Sequence, residues 1–347
     1  MCMVFATQLL ASEEAIQQLV ATKSCQKCDL RQADLRNLDL SGADLRHAQL
    51  DNAMLYNSDL SAARLEGASL RGASFARANL QGASLQELDL TRGRFSRANL
   101  SGADLRGANL TQANLQGTDL TAADLSGANL DAASLLGSRL DAARLAAAIL
   151  DNANLRGVDL SNTADLANAR FQGADLRMAK LSGLALQGMD FSGARLLKAD
   201  FGGSNLKQAL FVDAELKKVV FVDADLRQAN FQGARMHGVR LSGAKLEGAL
   251  LQGLELSGNL IGVDFSQARI SRVRFNGANL KQANFRQAHM EYVDLEGANL
   301  YGADFTGAQL KRCNLRRANL RQARLAGVDL TGNVVEGAKG LEASADQ

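Results

Sequence analysis

Residues able to do chemistry are few and widely spread. Cys25 and Cys28 form a Cys-x-x-Cys pair, a spacing that suits half a zinc site, a redox couple or a disulfide. No second cysteine pair and no histidine cluster completes a metal site. The three histidines, His47, His237 and His289, stand far apart, whereas a general base needs a partner within hydrogen-bond reach. Glycine is abundant, but no Gly-Lys-Ser/Thr follows it as a phosphate-binding loop would require. Between Phe305 and Val328 lie Lys311, Arg312, Arg316, Arg317, Arg321 and Arg324 with no acid among them. Such a cluster could hold an anionic partner, whether acidic protein, nucleic acid or lipid headgroups. Nucleic acid and membrane are not favoured, because stacking aromatics are sparse. The cluster reads first as a charged, solvated end that discourages association of chain ends.

What positions these groups is a five-residue repeat. Ala103-Asp104-Leu105-Arg106-Gly107 is followed at once by Ala108-Asn109-Leu110-Thr111-Gln112, and the pattern runs from Cys28 almost to the C-terminus. With the central apolar residue called i, that position is Leu or Phe almost throughout. Position i−2 is mostly Ala, position i−1 is often Asp or Asn, and most of the 32 glycines fall at i+2. On an α-helix a step of five advances about 500°, so the leucines would define no face. In an extended segment i−2 and i share a face. Each unit therefore reads as a very short strand and a corner, where glycine supplies a backbone angle that other residues resist. The absence of proline fits a ladder that needs every N–H. The recurring aspartates belong to this pattern and are not paired catalytic carboxylates. Asp–Arg contacts between successive coils are expected, each contributing about 0–1 kcal/mol.

Tandem Ala-(Asp/Asn)-Leu-X-X over roughly residues 28–335 resembles the pentapeptide repeat family. The resemblance implies an all-β fold: a right-handed quadrilateral parallel β-helix with four units per coil. At the usual strand spacing this makes about 15 coils and a rod roughly 70 Å long. Phenylalanines recur at intervals of 20, as in Phe75 and Phe95, Phe171, Phe191, Phe211 and Phe231, Phe201 and Phe221, and Phe265, Phe285 and Phe305. Four units per coil would stack each set on one side. The resemblance also implies a non-enzymatic interaction or scaffold role with a protein partner, and no cofactor. Some members act on DNA gyrase as mimics of duplex DNA, but that requires a strongly acidic surface, and the net charge here is +2.

Three segments make up the chain. In residues 1–27, Ser12-Glu13-Glu14 reads as a helix start, and Ala15, Ile16, Leu19 and Val20 as the apolar face of a helix to about Ala21 that closes the first coil. Residues 1–11 resemble the remnant of an export signal, but they lack a positive start. The chain is expected in the cytoplasm, or in an exported compartment if its true start lies upstream. Residues 28–335 form the β-helix, and residues 336–347 a disordered tail. One extra residue near 161–165 and one missing near 257–260 break the register, as a corner can absorb. Cys25 occupies the place of a central residue and Cys28 and Cys313 inward i−2 places, so burial as thiols is the first reading and a disulfide the alternative if the chain is exported. Leu38, Leu88, Leu184, Met189 and Leu254 replace the usual inward alanine. No apolar run reaches the ~18 residues of a membrane span. No apolar C-terminal helix suggests a tight dimer, so a monomer or weak homodimer is expected.

Overall fold

A computed structural model describes residues 13–341. Every unit folds the same way. The central residue sits in a short extended segment, and the chain then turns between i and i+3. At the first complete corner, Ala33 N–H donates to Leu30 O at 3.1 Å. Gln32, third in that turn, has φ of +61°, which is the type II pattern. Position i+2 takes this left-handed angle whether glycine fills it or not, as at Met178 (φ +62°) and Gly233 (φ +70°). The corner therefore demands the angle, and glycine is the residue that meets it without strain.

The chain comprises two compact units, one ending at Asp175 and the other starting at Leu176. In the first, each coil pairs in parallel with the next, 20 residues on: Ser24 with Asp44, Asp29 with Gln49, Asp34 with Met54 and Asp39 with Asp59. Four units thus complete one coil of a parallel β-helix. Near the extra residue the step becomes 21, as in Arg144 with Asp165 and Ile149 with Arg170. The four columns of central residues continue, so the insertion is absorbed in the corner, where Thr163 Oγ1 donates to Leu160 O.

In the second unit the step of 20 holds from Lys180 with Asp200 onward, falls to 19 at Lys245 with Asp264, and returns to 20 at Asn259 with Asn279. One side here widens into regular strands: β1 (Leu250–Gln252), β2 (Arg269–Ser271), β3 (His289–Glu291) and β4 (Gln309–Lys311), parallel and in that order. The ladder extends beyond residue 335, because Lys339 pairs with Asn319 and Leu320 N–H donates to Lys339 O at 2.8 Å. Residues 336–341 thus belong to a coil and correct the boundary placed at 335. The expected tail otherwise lies outside the described residues, as does the export-signal reading of 1–11.

The core is the inside of the coils. Through residue 320 the central Leu and Phe side chains are buried, with most of the alanines at i−2, so stability accumulates coil by coil. Phenylalanines one coil apart stack: Phe75 on Phe95 at 4.9 Å, Phe211 on Phe191 at 5.3 Å and on Phe231 at 5.1 Å, and Phe285 on Phe305 at 4.8 Å. Among the bulky i−2 residues, Leu88, Met189 and Leu254 are buried, while Leu38 and Leu184 remain partly exposed. Ser58 takes the place of an inward alanine, and its Oγ donates to the Leu35 carbonyl at 2.6 Å, so the buried hydroxyl is satisfied.

A helix, α1, occupies residues 13–22 at the start of the first unit. Leu19 is fully buried over the first coil, but Val20 is 48% exposed and is not part of the buried face. The reason is the angle between neighbours: consecutive residues lie about 100° apart on a helix, so Leu19 and Val20 cannot both face one surface.

Candidate functional site

The frequent Asp and Asn at i−1 have a structural task. Their Oδ1 accepts the N–H of residue i+1 at the corner that follows, as in Ser41 N to Asp39 at 3.0 Å and Ser101 N to Asn99 at 3.0 Å. This is a local side-chain-to-backbone cap of a turn. Where Arg stands at i+1 it also forms a two-point pair with the same carboxylate. Arg31 holds Asp29, Arg36 holds Asp34 and Arg106 holds Asp104, each with a closest contact of 2.6 Å. These pairs lie within one unit, where the sequence predicts pairing between coils. Contacts between coils also occur, such as Arg139 with Asp119 at 3.1 Å. The hydrogen bond from Arg31 holds the Asp29 carboxyl below its usual range. The aspartates are thus fixed as caps and ion pairs.

Cys25 and Cys28 are joined by a disulfide at the foot of α1. Cys25 is fully buried, while Cys28 is only partly so, which departs from the reading of two buried thiols. Cys313 is buried, and desolvation pushes its thiol above the ordinary range. His47, His237 and His289 are exposed and separate. Among the described residues no group of three or more His, Cys, Asp or Glu could hold a metal ion.

The six basic residues fall on one coil and its corners. Lys311 ends β4 and Arg312 follows at the corner. Arg316 and Arg317 leave the next side, Arg321 the third, and Arg324 precedes the fourth. Half of the cluster is engaged. Arg312 lies over the Tyr292 ring at 5.4 Å, Arg316 is ion-paired with Glu336, and Arg324 is 3.7 Å from Asp304. Lys311, Arg317 and Arg321 have no ion-pair partner among the described residues. The sequence could not reveal this division, because Asp304 and Glu336 belong to neighbouring coils. A shallow groove on the β2–β4 face, lined by Arg269, His289, Glu291 and Lys311, adjoins the cluster.

A family model described as pentapeptide repeats (8 copies) matches overlapping segments from residue 24 to residue 339. The chain belongs to the pentapeptide repeat family. Among solved structures it is similar to HetL, a pentapeptide repeat protein involved in heterocyst differentiation regulation in the cyanobacterium Nostoc. The identity is 31% over 68% of this chain and 95% of HetL, with a TM-score of 0.25. It is similar to Rfr23 of the cyanobacterium Cyanothece at 26% identity over 49% of this chain and 98% of that one, with a TM-score of 0.19. It also resembles QnrB1, a plasmid-mediated fluoroquinolone resistance protein, at 18% identity over 62% of this chain and 90% of that one, with a TM-score of 0.28. No curated protein sequence matches the chain. Members of this repeat family are in general structural and interaction proteins. Among the described residues no helix is long and apolar enough to cross a membrane.

Proposed function

We propose that this member of the family is a non-enzymatic scaffold that binds a protein partner through its outward side chains. One observation carries the reading. Inward positions are filled by Leu, Phe and Ala and corners are closed by Asp and Asn caps, so the freely variable chemistry lies in the outward columns. We also infer that the coils wind right-handed, since parallel strands joined by a crossover are almost always right-handed.

A second reading, an anionic partner held by the basic coil, is favoured by Lys311, Arg317 and Arg321, which have no ion-pair partner among the described residues. Mimicry of DNA toward gyrase is disfavoured, since carboxylates such as Asp29, Asp34 and Asp104 are neutralised by arginines. The Cys25–Cys28 bond supports an oxidising compartment over the cytoplasm.

Affinity purification from native cells, after chemical crosslinking, tests the scaffold reading. The bait is the wild-type chain beside one with Arg316, Arg317, Arg321 and Arg324 changed to Glu. A partner crosslinked to defined outward residues is expected. Its loss with the variant would place binding at the basic coil. Recovery of no specific partner by either bait would overturn the scaffold reading.

A further inference from the structure

The two ends of the ladder differ in chemistry, and the difference follows from the hydrogen-bond pattern. On each side of a coil, two N–H groups donate to the next coil and one carbonyl accepts from it. Leu30 N donates to Gln49 O, Gln32 N donates to Asp51 O, and Cys28 O accepts from Gln49 N. A first coil therefore presents surplus carbonyls at its open edge, and a last coil presents surplus N–H groups.

At the first coil the surplus is met in part, at the carbonyls of Ser24 and Asp39. Gln18 Nε2 donates to Ser24 O at 3.1 Å. Lys23 donates to Asp39 O. Leu19 of α1 covers the apolar interior, so Cys25 and Leu30 are fully buried. An apolar helix side chain flanked by donors closes an acceptor-rich end.

The last coil has no such cover among the described residues. Inward Leu325, Val328, Leu330 and Val335 are partly exposed, whereas the central residues one coil earlier, Phe305, Leu310 and Leu315, are buried. The N–H groups of Leu325, Gly327, Leu330, Gly332, Val335 and Gly337 find no backbone acceptor there. Around them stand Arg317, Arg321 and Lys339, without ion-pair partners among the described residues, and Arg324. The end is thus apolar at its centre and rich in donors at its edge, and its rim is net basic, with Asp329 and the Arg316-paired Glu336 as its acids.

We propose that this end docks an acidic amphipathic helix of a partner protein. Its apolar stripe would cover Leu325, Leu330 and Val335, and its carboxylates would accept from the open N–H groups and meet Arg317, Arg321 and Lys339. An exposed strand edge calls for a cover, and complementary charge selects the partner. A second copy of the same end is disfavoured, since it would bring two basic rims together. This inference rests on the scaffold reading and gives it a site and a class of partner.

The test uses the full chain and synthetic helical peptides of about 18 residues, or five turns. One carries a leucine stripe with glutamates elsewhere, one the same stripe with lysines, and one glutamates without the stripe. By fluorescence anisotropy the leucine–glutamate peptide should bind about ten-fold or more tightly than either control. An Arg317→Glu, Arg321→Glu, Lys339→Glu variant should lose about ten-fold or more of that affinity. Hydrogen exchange of Leu325, Gly327, Leu330 and Gly332 should slow on binding. The charge variant leaves the core untouched, so it reads binding without a folding defect.

Equal binding of the glutamate and lysine peptides, or protection that maps elsewhere, would overturn the proposal. So would amides already protected in the free chain, either by residues 342–347, as their deletion would reveal, or by a second copy, as sedimentation would reveal. If a native partner is still crosslinked to the chain in any of these cases, the scaffold reading stands and only the end site fails.

Discussion

Asp225 and Arg227 flank buried Leu226 and hold one another at two points, Arg227 Nε to Oδ1 at 2.9 Å and the terminal nitrogen to Oδ2 at 2.6 Å. This hydrogen bonding from Arg227 outweighs desolvation and lowers the Asp225 pKa from 3.8 to about 2. A depressed carboxyl stabilises the fold above its unfolded pKa, and that contribution fades as pH falls through the folded value. The pair should therefore contribute in full above pH 4 and be lost toward pH 2. Arg227→Ala should lower stability slightly near pH 6, as for a well-formed surface pair. The gap from wild type should close as the pH falls to 2. Urea unfolding at several pH values reads this, and a gap independent of pH would refute it.

Phe211 sits at the middle of an aromatic column. It stacks on Phe191 and Phe231 and meets Phe221 edge-on at 5.6 Å. It is fully buried, so Phe211→Ala should cost about 3–5 kcal/mol through a cavity that neighbouring coils cannot close. Phe211→Leu restores the residue most coils use at this position and should cost about 1 kcal/mol. Hydrogen exchange should show the loss centred on coils of the second unit, since each coil contacts only its neighbours. Uniform acceleration along the chain would contradict that.

The five-residue period made the fold legible because every unit repeats the same inward pair and the same corner. Even the phenylalanine spacing carried the coil length, and the stacks of Phe191, Phe211 and Phe231 realise it. The aspartates were legible as pattern but not as caps, since Asp39 acts on the N–H of Ser41 only once the corner forms. The basic cluster was visible as sequence. Its division into engaged and free cations was not, because Glu336 meets Arg316 from the following coil. The open end at Leu325, Leu330 and Val335 was hidden for a similar reason: their pattern is that of buried residues, and exposure depends on what lies beyond them.

Gly233 and Asp213 offer a test of the corner. A β-carbon on Gly233 would stand 2.1 Å from Asp213 Oδ1, one coil below, and φ there is +70°. At Gly183, with φ of +72°, nothing lies within 4 Å of that position. Gly183→Ala should then cost only the backbone strain, about 1–2 kcal/mol. Gly233→Ala should cost more, and Asp213→Ala in the same chain should recover the excess. Thermal denaturation of the two single variants and the double variant separates strain from collision. Equal losses at both glycines would show that Asp213 simply swings away.

The disulfide and α1 should act together on the first coil. Cys25 is buried beneath α1, and its sulfur lies 3.4 Å from Ala15 O; bonded to Cys28, it carries no proton to donate, so this is packing contact. Closing so short a loop restricts the unfolded chain by about 2 kcal/mol. Leu19→Ala should remove about 2–5 kcal/mol of local stability by emptying the space over the first coil. Reduction with dithiothreitol should lower protection of the amides of Cys25, Lys27 and Leu30, whose N–H groups bond to the second coil. It should leave those of the second unit unchanged. The effect should disappear in a Cys25→Ser, Cys28→Ser variant, which starts at the reduced level. If the reductant acts equally on that variant, the loss does not come from this bond, and the bond contributes nothing to closing this end.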